Sequence, residues 1–211
     1  MASQTEWANR ALIKLGGLPC INITDNSKPA RTLNGMFNIV LAAELRARKW
    51  SFSIKRANLA ADVAIPTFGY GAQYTLPTDC LRVLSIFTFD IGPDQSDYRT
   101  GGSSSSVFTI EGRKILYGRP FPGGPPASEE MPLRYIANIA DTTLWDPTFG
   151  EAFACRLAAE AAETLTQSSD KRRMAWQEYS QAIGAAKRAN AIELPSDSIS
   201  DDTWITGRLR G

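Results

Sequence analysis

Arg46-Ala47-Arg48-Lys49-Trp50-Ser51-Phe52-Ser53-Ile54 is the stretch where the chain changes period. Upstream of it, apolar residues recur three or four positions apart, as on one face of a helix. From Trp50 to Ile54 they alternate strictly with serine, the pattern of a half-buried strand. One such switch divides the 211 residues into a helical start and a β-rich middle.

Working back from the switch, Ala30, Leu33, Phe37, Val40, Leu41 and Leu45 form the buried stripe of a helix. It begins near Pro29, a residue favoured in a first turn, and runs to about Lys49. An earlier helix carries Trp7, Ala8, Ala11, Leu12 and Leu15 on one face. Ser3 and Glu6 have capping-box spacing at its start, and Gly16-Gly17 supplies a left-handed exit. The two helices are expected to form a hairpin over residues 1–49.

Working forward, residues 50–147 read as β. Candidate strands are Ala72 to Leu76, Leu81 to Phe89, Val107 to Glu111, Lys114 to Tyr117 and Leu133 to Ile139. Glu111-Gly112-Arg113-Lys114 reads as a hairpin turn. Asp90 to Ser106 and Pro120 to Pro132, rich in Gly, Ser, Asp and Pro, are expected to be exposed loops.

Helical period returns at residues 148–193. Thr148 to Glu151 has capping-box spacing, followed by Phe149, Phe153, Leu157, Ala161 and Leu165. The alanines at 152, 154, 158, 159, 161 and 162 permit close approach of a partner helix. Asp170 is placed to cap a fourth helix with the stripe Trp176, Tyr179, Ile183 and Ala186. Beyond residue 193 the pattern stops, and residues 194–211 read as an extended polar arm ending in Trp204-Ile205 and Arg208. The fold class is therefore α+β. Both helix pairs are expected to form a four-helix bundle beside an antiparallel β-sheet subdomain, with an extended C-terminal arm.

Composition limits the chemistry. The 23 Lys and Arg against 22 Asp and Glu give a net charge of +1, so no whole-molecule field attracts nucleic acid or an anionic membrane. The balance is uneven, with nine basic against four acidic residues over 1–62 and six against nine over 63–147. Opposite local signs suit copies meeting side by side. Cys20, Cys80 and Cys155 fit neither a disulfide framework nor a metal motif and read as free, mostly buried thiols of a reducing compartment. No membrane span or signal peptide is visible, which places the chain in a cytoplasm or in a particle assembled there.

With no histidine, the usual nucleophilic triads and Cys/His zinc sites fail. Gly101-Gly102 and Gly123-Gly124 lack the strand, loop and helix context of a phosphate cradle. No cofactor is expected. A glycosidase needs only two carboxyl groups, so Glu129-Glu130 and Glu160 with Glu163 keep that class open, although a solvated face is the simpler account. Arg46, Arg48, Lys49, Lys55 and Arg56 bracket Trp50 and Phe52, a combination that can contact DNA or a neighbouring subunit, although the aromatics read as buried and a basic helix end that is solvated or paired with acidic neighbours is the simpler account. A stand-alone nucleic-acid binder is disfavoured by the near-zero net charge.

The run from Arg46-Ala47-Arg48-Lys49-Trp50-Ser51-Phe52 through Arg56-Ala57-Asn58-Leu59-Ala60 to Tyr74-Thr75-Leu76-Pro77-Thr78-Asp79-Cys80-Leu81-Arg82-Val83-Leu84 resembles the tail tubular protein A family of short-tailed bacteriophages, the head-to-tail adaptor or gatekeeper family. Ala11-Leu12-Ile13-Lys14-Leu15-Gly16 and the late Trp204-Ile205 with Arg208 are consistent with it. The resemblance implies a structural virion protein of the tail, assembled in the host cytoplasm and not an enzyme. It further implies a homo-oligomeric ring of twelve copies between the portal protein and the tail nozzle (tubular B) protein, with genomic DNA passing through its lumen without sequence-specific binding. The portal is then the expected partner of the C-terminal arm, with Trp204 and Ile205 as apolar anchors and Arg208 and Arg210 for carboxylates at the rim. The alternative from another class is a virion-associated peptidoglycan-cleaving glycosidase.

Overall fold

The structure is a computed structural model that describes residues 2–86, 89–90, 108–118 and 130–193, with the backbone alone at 89–90. The described residues are mixed α and β: four helices and two small antiparallel sheets.

Helix α1, Gln4–Lys14, begins with the expected capping box, in which Ser3 and Glu6 satisfy one another's backbone amides. It leaves through Gly16 at φ +73°. Helix α2, Lys28–Ala47, has Ser27 as its cap, with Pro29 in the first turn. Its buried face is the predicted stripe with one addition, Glu44.

The switch itself is not a strand. Ser51–Ser53 forms a 3-10 turn, in which the Ser53 hydroxyl bonds back to the Trp50 carbonyl. Trp50 and Phe52 thus leave a turn, and both rings pack on Phe149 at 4.9 and 5.0 Å. Strand β1, Ile54–Leu59, starts only after that turn and was absent from the candidate strands. Next come β2 (Ala72–Thr75), β3 (Cys80–Ile86), β4 (Phe89–Asp90), β5 (Phe108–Glu111), β6 (Lys114–Tyr117) and β7 (Met131–Ala137). One sheet has the order β1-β7-β3-β4 and the other β2-β6-β5, so the single expected sheet is in fact two. The predicted hairpin is present. Glu111 pairs with Lys114, and Gly112 takes φ +59°, a conformation open to glycine without a Cβ penalty.

Helix α3, Pro147–Thr166, is capped by Asp146 and not by Thr148. The Asp146 carboxylate accepts from the Thr148 and Phe149 amides at 2.7 and 3.2 Å. Glu151, released from any capping role, bonds Arg10 and Lys14 of α1 at 3.0 and 2.8 Å. Gln167 at φ +50° ends α3, and α4 (Ser169–Glu193) turns straight back. Asp170 does not cap α4. The Ser168 hydroxyl accepts from the Lys171 amide at 3.3 Å, and Asp170 pairs with Arg173.

Helix α3 is the central element, packing on α1, α2 and most extensively α4, while α1 and α2 barely touch. Ala154, Ala158 and Ala161 are almost fully buried, as close helix approach requires. Trp7, Phe37, Trp50, Trp145, Phe149 and Phe153 join in one aromatic core, with most ring centroids 5 to 6.5 Å apart. Buried indoles need acceptors: Trp145 Nε1 donates to the Ile139 carbonyl and Trp50 Nε1 to that of Glu44.

Candidate interaction surfaces

The five basic residues singled out around the switch do not form one patch. Arg48 turns back to Glu44, Nη1 to Oε2 at 2.7 Å, and Lys55 bonds Asp79 at 2.8 Å. Arg46 donates to the Leu81 carbonyl. Arg56 is exposed on β1, directly opposite Arg134 of β7. The Lys49 carbonyl accepts from Asn190, whose side-chain oxygen also accepts from the Ser51 amide, so the far end of α4 clamps the 3-10 turn.

Glu44 is a carboxylate in the core, 6% exposed, where α2, α3 and α4 meet. The Tyr179 hydroxyl donates to its Oε1 at 2.6 Å. Arg156 lies 4.0 Å away, pairs with Glu160 at 2.7 Å, and stacks 4.5 Å over the Trp176 ring. Burial, followed by the hydrogen bond to Glu44, pushes the Tyr179 phenol above its ordinary value. This arrangement locks three helices together, since a buried carboxylate is tolerable only when its partners are in place.

A second polar knot joins β1, β3 and β7. Asp79 takes Lys55 on one oxygen and the Tyr135 hydroxyl on the other. Burial would raise Asp79, but the bonds to Lys55 and Tyr135 outweigh it and hold the carboxyl below its usual range. Tyr135 responds oppositely, pushed up to about 12 by burial and by Asp79.

Of the carboxylates that kept a glycosidase open, Glu160 and Glu163 sit in ion pairs with Arg156 and Arg172 on α3 and α4. Glu130 is exposed and accepts from Asn58, while Glu129 lies outside the described residues. Among the described residues no group of His, Cys, Asp or Glu is arranged to hold a metal ion. No described helix is long and apolar enough to cross a membrane.

The surface that sequence reading missed is the connection between β1 and β2. Val63, Ile65 and Phe68 are 104%, 68% and 85% exposed, three large apolar side chains within six residues. The available signal was Val63-Ala64-Ile65-Pro66-Thr67-Phe68, an apolar run with no strand partner. At the loop's base, Asp62 is tied down by Thr75 and Lys114. The arm residues Trp204, Ile205, Arg208 and Arg210 lie outside the described residues.

Compared with known proteins, the chain matches no family model, and no curated protein is significantly similar to it.

Proposed function

We propose that this chain is a structural head-to-tail connector of a short-tailed phage virion. In this reading it forms a ring between portal and tail nozzle through which DNA passes, and its four helices act as a bundle with an extended C-terminal arm that docks on the portal. The observation that carries the proposal is the apolar β1–β2 loop. Leaving Val63, Ile65 and Phe68 in water is unfavourable, and contiguous exposed apolar groups mark protein contact surfaces. Support also comes from the resemblance across residues 46–84 and from carboxylates that are engaged in salt bridges and hydrogen bonds. Those engagements count against the glycosidase, whose acid and nucleophile must be free to meet one sugar.

The decisive test is single-particle imaging of the purified protein with its portal. A ring seated on the portal is the expected outcome; a monomer that cleaves peptidoglycan overturns the reading. Deleting residues 195–211 is expected to leave thermal unfolding of the monomer nearly unchanged while abolishing portal attachment. Full affinity in the truncated protein would remove the arm from the reading.

A further inference from the structure

The connection between α1 and α2 carries a second set of large apolar side chains in water. Leu18 and Ile21 are 87% and 96% exposed, and Ile13, one turn beyond Asn9 on the same face of α1, is exposed as well. The loop itself is pinned. The Asn9 side chain donates to the Cys20 carbonyl at 2.8 Å and accepts from the Cys20 amide at 2.9 Å, so it grips the backbone between Leu18 and Ile21. To either side, the Gly17 amide donates to the Leu12 carbonyl at 2.9 Å, and the amide of buried Ile23 donates to the Thr5 hydroxyl. Hydrogen bonds thus hold a loop whose two large aliphatic side chains stay uncovered. A loop fixed before it binds loses little freedom on binding.

The β1–β2 loop is built in the same way. Ala61 bridges Tyr74, the Asp62 amide donates to the Gln73 carbonyl at 2.8 Å, and the Gly71 amide donates to the Tyr117 carbonyl at 3.2 Å. Val63, Ile65 and Phe68 lie between these ties. Neither loop presents charge. Residues 15–24 and 63–78 contain no Asp, Glu, Lys or Arg. The bordering charges are compensated within the chain, Lys14 by Glu151 and Asp62 by Lys114. Bringing the two surfaces together therefore buries no unpaired charge, the heaviest penalty in an ill-matched contact. Among the described residues Ile39, Leu144 and Met174 are exposed too, but each stands singly in sequence, which is ordinary for a protein surface.

We infer that the α1–α2 loop is the seat for the β1–β2 loop of a second copy of this chain. Ile13, Leu18 and Ile21 of one copy receive Val63, Ile65 and Phe68 of the next. The head-to-tail pattern rests on the connector reading. In a ring of more than two copies each chain must offer two different, mutually complementary surfaces, whereas a self-complementary patch closes on two copies and stops. The β1–β2 loop supplies one surface, and the α1–α2 loop matches it in size, in neutrality and in its pinned backbone. Both have an apolar centre over polar ties, the arrangement of a specific contact with a dry core and a polar rim. Each loop is exposed in the single chain, so neither is covered by its own counterpart.

The test mixes two full-length variants that lack opposite halves of the contact. Leu18→Ser with Ile21→Ser removes the seat, and Val63→Ser with Phe68→Ser removes the loop. All four side chains are exposed, so thermal unfolding of each variant should match the parent. In analytical ultracentrifugation each variant alone should be monomeric. An equimolar mixture should form a one-to-one dimer and nothing larger, because the pair shares one intact seat and one intact loop. A mixture that stays monomeric overturns the inference. So does a seat variant that dimerises by itself, since its loops would then be meeting each other. If the seat variant unfolds early, Ile13→Ser with Leu18→Ser replaces it and carries the same expectation. The connector reading fails separately: a mixed dimer through the two loops, with no ring of the parent on portal, sinks that reading and leaves this one standing. A seat variant that still assembles on portal like the parent does the reverse.

Discussion

Gly150 shows how much one side chain can decide. It sits in the first turns of α3 against the Trp7 indole of α1, and a Cβ built there would lie 2.2 Å from the ring. Gly150→Ala must push Trp7 off its stack on Trp145, an overpacking expected to destabilise the chain by about 1–3 kcal/mol. Equilibrium denaturation with urea measures this directly, and an unchanged midpoint would show that α1 can shift freely on α3. Tyr179 makes the complementary case. Tyr179→Phe keeps the ring and removes the hydroxyl from Glu44, and a lost bond to a buried charged group is expected to cost about 1.5–3 kcal/mol. A variant as stable as the parent would mean that Arg48 and Arg156 suffice for Glu44. Gly150 was not legible in the sequence, because nothing about a glycine in a helix names the ring it must admit. Glu44 was legible in part: it lies three and four residues beyond Leu41 and Val40, on the stripe correctly assigned to the core.

At the scale of elements, periodic signals were read well and boundary signals less so. Every helix stripe proposed from spacing is buried or half-buried, because amphipathic period is imposed by the core itself. Caps were misplaced where two candidates competed. Thr148 and Asp146 both stand at the start of α3, but Pro147 fits the first helical position and so makes Asp146 the cap and places Thr148 inside the helix. Strand β1 was missed because Lys55, Arg56 and Asn58 give it little apolar content, and its identity comes from pairing with β7, which a local window cannot see. That pairing is reinforced by the Asp79, Lys55 and Tyr135 knot, which carries a signed pH dependence. Tyr135 has its ordinary value near 10 in the unfolded chain and about 12 in the fold. Its contribution is therefore fully present below pH 10 and lost as pH rises through 12. Unfolding midpoints recorded across this window should fall in the parent and fall less steeply in Tyr135→Phe. Parallel curves would show that the phenol is neither buried nor held by Asp79 in solution.

For the whole molecule, the connector reading raises the question of what would hold copies together. Opposite charge on residues 1–62 and 63–147 suggested salt-sensitive contacts between neighbours, yet the fold uses much of that charge internally. Arg10 and Lys14 are taken by Glu151, Lys55 by Asp79 and Lys114 by Asp62. Among the described residues, the β1–β2 loop is an uncovered and energetically large apolar feature, with three such side chains in six residues. Fully burying a Val, Ile or Phe side chain contributes about 1.5–3 kcal/mol, so seating Val63, Ile65 and Phe68 on a neighbour outweighs an exposed ion pair, worth about 0–1 kcal/mol. Assembly is then expected to survive moderate salt, which screens charges beyond about 10 Å at 0.1 M but leaves apolar contacts intact. The double variant Val63→Ser with Phe68→Ser should abolish the proposed ring while leaving monomer unfolding unchanged, because neither side chain is covered in the isolated chain. Mass measurement of the parent and the variant, each mixed with portal at low and moderate salt, separates the possibilities. If the variant assembles like the parent and salt dissolves both, the contact is electrostatic and the loop faces something other than its neighbour.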